Sequence, residues 1–336
     1  MKPIDQLTKE EALAELKAIA EEMAELAAKY TGVKPEDVIV ASTGVIGEEM
    51  NLEAIKSKLP DLAAMLSDSE IASIDACQAI MTTDTRPKEI AVEFEIGGKT
   101  CHIGGIAKGS GMIHPNMATM LVFITSDVAI SAKMLQKALS SDIQNTFNML
   151  SVDGDTSTND TVAIMANGFA GNDEITKEGP DFDIFMQALN TVNVYLSRCI
   201  AGDGEGASKL LECTVTGAET EEIAKKVAKS VICSSLTKAA MFGEDANWGR
   251  VLCAIGYSGV QLDVSKIDLD FKSREGSIAM CRNGFGVPFS EEEASKILHE
   301  KEIDIVISLG DGPGRATAWG CDLTYEYVKI NGEYRS

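Results

Sequence analysis

The stretch KGSGMIHPNMATMLVFITSD, Lys108 to Asp127, joins a glycine-rich loop to an apolar run and carries the dipeptide Ala118-Thr119 between them. Glycines beside a lysine suit a loop that approaches something closely. A threonine inside a chain is a poor nucleophile, because no base is attached to it. At a chain terminus its own amine, with a pKa near about 8, can take the hydroxyl proton. An Ala118-Thr119 bond held in a strained loop could supply that terminus by self-cleavage. Thr119 Oγ would attack the Ala118 carbonyl, and water would hydrolyse the resulting ester. Spacing alone leaves this reading beside that of an ordinary turn before a strand.

Other small polar loops recur: STGVIG, DGDTSTND, GDGEGAS, GEDANWGR and GDGPG. Such loops often line sites on a rigid scaffold, and each is also an ordinary turn. DGDTSTND fails as a calcium loop, because Thr158 holds the position that needs glycine and Ile164 the one that needs glutamate. GDGEGASK is no Walker loop, and no G-x-G-x-x-G or G-x-S-x-G is present. His114 has no evident carboxylate partner, and no His/Cys grouping has zinc spacing.

Positioning these loops falls to alternating helices and strands. Leu13, Leu16, Ile19, Ala20, Met23, Leu26 and Ala27 follow helical spacing, with a Thr8/Glu11 capping box and closure at Gly32. DVIVA reads as a short buried strand running into STGVIG, and NLEAIKSKL as the next helix. EIAVEFEIGGKTCHIGGIAK reads as a β-hairpin turning at Gly97-Gly98. SAKMLQKALSSDIQNTFNML, DFDIFMQALNTVNVYLSRCIA and EEIAKKVAKSVICSSLTKAAMFG read as helices. The C-terminal EKEIDIVISLGDGPGRATAWGCDLTYEYVKI reads as strands around a glycine-rich turn. The rhythm is not strictly βαβ, so a layered α/β fold is expected.

The 336 residues are 45% apolar, enough for a sizeable core, and the net charge is -22. That charge disfavours nucleic acid and anionic membranes as partners and leaves small amine-bearing substrates compatible. Eight scattered cysteines without a Cys-x-x-Cys pair point to buried, reduced thiols. No apolar run is long enough to span a membrane, and the N-terminus lacks the apolar core of a signal peptide, so a cytoplasmic protein is expected.

KGSGMIHPNMATML, NTFNMLSVDGDTSTNDT, GDGEGASK, GEDANWGR and SLGDGPGRATAWGCDLTYEYVKINGEYRS closely resemble, in order, the ornithine acetyltransferases of arginine biosynthesis, also called glutamate N-acetyltransferases. The resemblance runs from about DVIVASTGVIG to the C-terminus. It implies a layered α/β sandwich of the N-terminal-nucleophile kind. It also implies cleavage between Ala118 and Thr119, giving an alpha chain 1–118 and a beta chain 119–336 that stay associated, two of each in a heterotetramer. Thr119 would take acetyl from N2-acetylornithine and pass it to glutamate, a ping-pong transfer needing no cofactor, with acetyl-CoA as a further donor in some members. Thr43 and Gly44 match the oxyanion hole. Thr82, Lys108, Glu205, Asn331 and Ser336 match substrate contacts, Lys108 facing a carboxylate and Glu205 an amine.

The chain departs from the family pattern in places. Ser336 stands where threonine is usual, and Gly332-Glu333 where Ala-Asp is usual. Family members carry several dozen residues before the first helix found here, including strands and an Asn/Gly-rich loop. The chain is expected to lack them. Two other functions use the same residues: an amidohydrolase or aminopeptidase with water as acceptor, and an inactive truncated scaffold.

Overall fold

The computed structural model describes residues 8–45, 48, 50–114 and 120–333. These fall into two compact units, one up to Ala79 and one from Ile80 onward.

The first unit holds three helices, α1 (Lys9–Thr31), α2 (Leu52–Ala64) and α3 (Glu70–Ala79). The capping box forms: Glu11 N–H donates to Thr8 Oγ at 3.2 Å, and Thr8 N–H to the Glu11 carboxylate at 2.9 Å. Gly32 ends α1 in the left-handed region, at φ 78°, and donates to the Ala28 carbonyl. Only Ala24 and Ala28 of α1 are buried, and Leu13 and Leu16 of the expected apolar face stay exposed. The expected strand DVIVA is not a strand. Among the described residues, 38–45 join no strand ladder, and Ile39 is 51% exposed.

The second unit contains two sheets. The first has the order β1 (Lys88–Ile96), β2 (Lys99–Lys108), β3 (Leu121–Ser126), β5 (Thr161–Ala166). β1 and β2 form the expected hairpin, with Gly97 at φ 57° and Gly98 at φ 74°, the two left-handed residues that a type I′ turn requires. β2 and β3 are antiparallel, and β3 and β5 parallel. The second sheet has the order β4 (Leu150–Ser151), β11 (Gly314–Cys321), β6 (Leu210–Ala218), β10 (Glu302–Ser308), β7 (Asp268–Ser273), β8 (Gly276–Arg282), β9 (Phe285–Gly286).

The helices of this unit are α4 (Ala132–Asp142), α5 (Pro180–Ala201), α6 (Glu221–Cys233), α7 (Ser235–Phe242), α8 (Trp248–Gly256), α9 (Glu291–Leu298) and α10 (Tyr325–Glu333). α5 lies against β1 and β2 and also touches β11 and β6, so it forms a layer that both sheets share. Phe185, Leu189, Val192, Leu196 and Ile200 along it are fully buried. A Cβ at Gly105 of β2 would press on Leu196 and Val192, so glycine sets this close approach. α6 covers β11 and β6. The segment expected as one helix breaks at Ser234, which takes an extended backbone and caps α7 by accepting from Thr237 N–H. YEYVKI near the C-terminus lies in helix α10, not in a strand. No disulfide links the cysteines, and Cys77, Cys101, Cys213, Cys281 and Cys321 are buried. No described helix is long and apolar enough to cross a membrane.

Candidate active site

The site sits where β2 ends and β3 and β5 begin. Lys108 pairs with Leu121, and Leu121 with Thr161, so Lys108, Met120 and Asp160 gather at one edge of the first sheet. The DGDTSTND loop leading into β5 holds the chain on both sides of residues 115–119. Before them, the Asp153 carboxylate accepts from Met112 N–H at 2.7 Å and Ile113 N–H at 3.0 Å. Val152 N–H donates to the Ile113 carbonyl at 2.6 Å. Met112 takes φ 54°, a left-handed conformation costly for a side chain with a Cβ, and these bonds fix it there. After them, Asp160 Oδ1 accepts from Met120 N–H at 2.7 Å, and Thr161 N–H donates to the Met120 carbonyl at 2.9 Å. Asp153, the first acid of the calcium-like run, is thus taken up by backbone donors. Among the described residues no acidic, His or Cys group is placed to hold a metal ion.

Beside this edge lies a buried ion cluster. Lys88 Nζ donates to Asp84 Oδ1 at 2.6 Å and to Asp203 Oδ2 at 2.5 Å. Removing such charges from water is costly, and further hydrogen bonds offset the cost. Asp84 also accepts from Gly109 N–H at 2.8 Å and Thr82 N–H at 3.2 Å. Asp203 also accepts from the backbone and hydroxyl of Thr85. Burial alone would raise the Asp84 carboxyl, but Lys88 and these donors outweigh it and hold the group below its ordinary value. The cluster fixes the start of the Lys108–Gly111 loop. Ser110 Oγ completes the tie by donating to the Asp203 carbonyl at 2.9 Å.

Glu205 follows on the same loop as Asp203. Its carboxylate accepts from Thr83 Oγ at 2.8 Å and Asn331 Nδ2 at 2.9 Å. Any side chain at Gly111 would overlap that carboxylate. Lys108 is 2% exposed. Burial pushes its ammonium below the usual lysine value, while Asp84, Asp160 and Glu205 pull the other way. Asp160 Oδ2 is buried and has no hydrogen-bond partner among the described residues. That burial raises its carboxyl to about 6, against the opposing Met120 N–H and Lys108.

The structure therefore brings together Lys108, Glu205 and Asn331. Thr82 contributes its backbone to Asp84, and its neighbour Thr83 is the residue that touches Glu205. Thr43, half-buried, and Gly44, exposed, lie in the first unit. Ala118, Thr119 and Ser336 lie outside the described residues. The sequence reading missed Asp84, Lys88, Asp153, Asp160 and Asp203. The last three stand inside loops already singled out as polar and glycine-rich, and that was the available signal.

A sequence model of the ArgJ family matches residues 14–336. The arginine biosynthesis bifunctional protein ArgJ 1 of Clostridium acetobutylicum is 51% identical over 314 residues, 94% of this chain and 76% of that protein. ArgJ of Bacillus subtilis is 47% identical over 314 residues, 94% of this chain and 75% of that protein. The crystal structure of the arginine biosynthesis bifunctional protein ArgJ from Bacillus halodurans superposes with a TM-score of 0.60 at 46% identity, over 63% of this chain and 98% of that one. The shared class is a layered α/β enzyme. The chain belongs to the ArgJ family.

Proposed function

We propose that this acetyltransferase of arginine biosynthesis works through Thr119 as an N-terminal nucleophile. The supporting observation is the hold that one loop keeps on the chain before and after residues 115–119, the restraint that a self-cleaving bond needs. Cleavage yields chains 1–118 and 119–336, two of each forming a heterotetramer in the cytoplasm. The Thr119 amine takes the hydroxyl proton, Oγ attacks the acetyl carbonyl of N2-acetylornithine, and ornithine leaves. Glutamate then takes the acetyl group from the threonine ester. Acetyl-CoA serves as a second donor, and no cofactor is needed. Thr43 and Gly44 supply the oxyanion donors. The buried Lys108 meets the substrate carboxylate and Glu205 its amine, with Thr82, Asn331 and Ser336 completing the contacts. Opposite charges gathered at one site suit an amino acid.

Intact-mass measurement tests this reading. Wild-type protein should run as two chains, and the one beginning at Thr119 should gain one acetyl group from acetylornithine. Thr119→Ala should remain one chain of 35.8 kDa and take up none. Acetyl transfer by uncleaved wild-type protein would refute the mechanism.

A further inference from the structure

A cavity of about 430 Å³ borders α6, and among the described residues none of those proposed for acetyl transfer lines it. Its wall carries Lys225, Lys226, Lys229 and Cys233 from α6, His114 from the glycine-rich loop and Tyr257 just after α8. Like charges one helical turn apart repel, so three lysines on one wall raise the question of what they face.

Lys225 is compensated within its own helix, with Nζ 2.8 Å from Glu221 and 3.5 Å from Glu222. Among the described residues no carboxylate pairs with Lys226 or Lys229. An exposed lysine such as Lys226 is ordinarily just a solvated charge. Lys229 does not fit that reading. Its Nζ is drawn inward, donating to the Asn148 carbonyl at 2.8 Å and the Leu150 carbonyl at 2.6 Å. Burial lowers this ammonium to about 8. A charge withdrawn from water without an opposite charge beside it is costly, and an anion in the cavity would offset that cost. His114 stands on the same wall. Its Nδ1 lies 3.0 Å from Ser151 Oγ and 3.5 Å from Cys233 Sγ, and its Nε2 has no partner among the described residues.

The spacing and type of these cations narrow the ligand. Lys225 and Lys229 stand about 6 Å apart along the helix, and Lys226 lies between them in sequence, so the wall presents several close charges. An ammonium meets phosphate as a point charge, whereas planar carboxylates favour the fork of arginine. Among the described residues no arginine lines this cavity. We propose that the cavity is a binding site for a small molecule carrying adjacent phosphate groups, with Lys226 and Lys229 as its main cationic contacts. The site lies outside the proposed acetyl-transfer machinery and does not depend on it.

Cys233 reports on occupancy, because it lines the cavity, while Cys253 is exposed and does not. The full-length protein is alkylated with iodoacetamide at neutral pH without divalent metal, and each thiol is followed by peptide mass. Inorganic pyrophosphate is the probe, and sodium chloride at equal ionic strength is the blank. At about ten times its Kd, pyrophosphate should slow Cys233 about tenfold and leave Cys253 unchanged. Lys226→Glu should raise the protecting concentration about tenfold or more, because like charges brought together repel strongly. The same reversal at exposed Lys99, which does not line the cavity, should leave it unchanged. An equal effect at the two lysines overturns the proposal, as does no protection of Cys233 up to about 10 mM pyrophosphate. Adenosine diphosphate separates the sources of the phosphates. Protection at lower concentration than pyrophosphate, with the advantage lost in Tyr257→Ala, assigns a nucleotide whose base stacks on Tyr257, and equal protection assigns the phosphate groups alone.

Discussion

Asp160 carries a cost that can be measured apart from any chemistry. Burial raises its carboxyl to about 6, against an ordinary value of 3.8. Between these values the native state binds more proton than the unfolded chain, so stability falls as pH rises through this window. The loss is complete above about 6. In a Thr119→Ala background, where cleavage does not intervene, Asp160→Asn removes this titration. It should gain stability over its parent at pH 7 compared with pH 4, on the order of 1 kcal/mol after allowance for solvent screening. Denaturant melts at the two pH values check the sign, and an equal difference at both would count against it. At this scale the sequence was partly legible. Lys108, Glu205 and Asn331 stand in motifs long enough to identify a family. The Lys88–Asp203 bond joins residues 115 positions apart, and no local pattern announces such a partner.

Among elements, local signals predict structure where the chain can satisfy itself. The capping box of α1 and the Gly97-Gly98 turn rest on neighbours in sequence, and both form as expected. The failures occur where distant packing decides. DVIVA has the composition of a strand but, among the described residues, no strand beside it. TYEYVKI alternates enough to suggest a strand, yet from Tyr325 onward it is helical, and the backbone N–H of Tyr327 bonds to Thr324 Oγ. The break between α6 and α7 is marked by a single serine within a helical pattern. Ser234 is buried and supplies the N-cap of α7. Ser234→Ala should therefore lower stability by about 1 kcal/mol, a typical loss for an N-cap. Denaturant unfolding measures it, and replacement by aspartate or threonine, which can also cap, should recover most of the loss.

For the whole molecule, the proposed cut crosses the middle of a sheet rather than a boundary between packed units. β1 and β2 fall in one product and β3 and β5 in the other, while the six-pair ladder from Ile103–Ser126 to Lys108–Leu121 joins them. α5, from the second product, packs on β1 and β2 of the first. Each product alone would expose an open strand edge and a bare apolar face. Folding must therefore be complete before the bond breaks. The same topology changes the order of the reaction that runs backward from denaturation. The uncut Thr119→Ala chain refolds by a first-order process at a rate independent of dilution. An enzyme cut as proposed must bring two separate polypeptides together, so its recovery from urea should fall as protein is diluted. Refolding yields across a hundredfold range of concentration should diverge for the two proteins, and superimposable yields would contradict the cut. On the proposed cut, maturation would act as a ratchet: a chain that had passed through it once would not readily return alone.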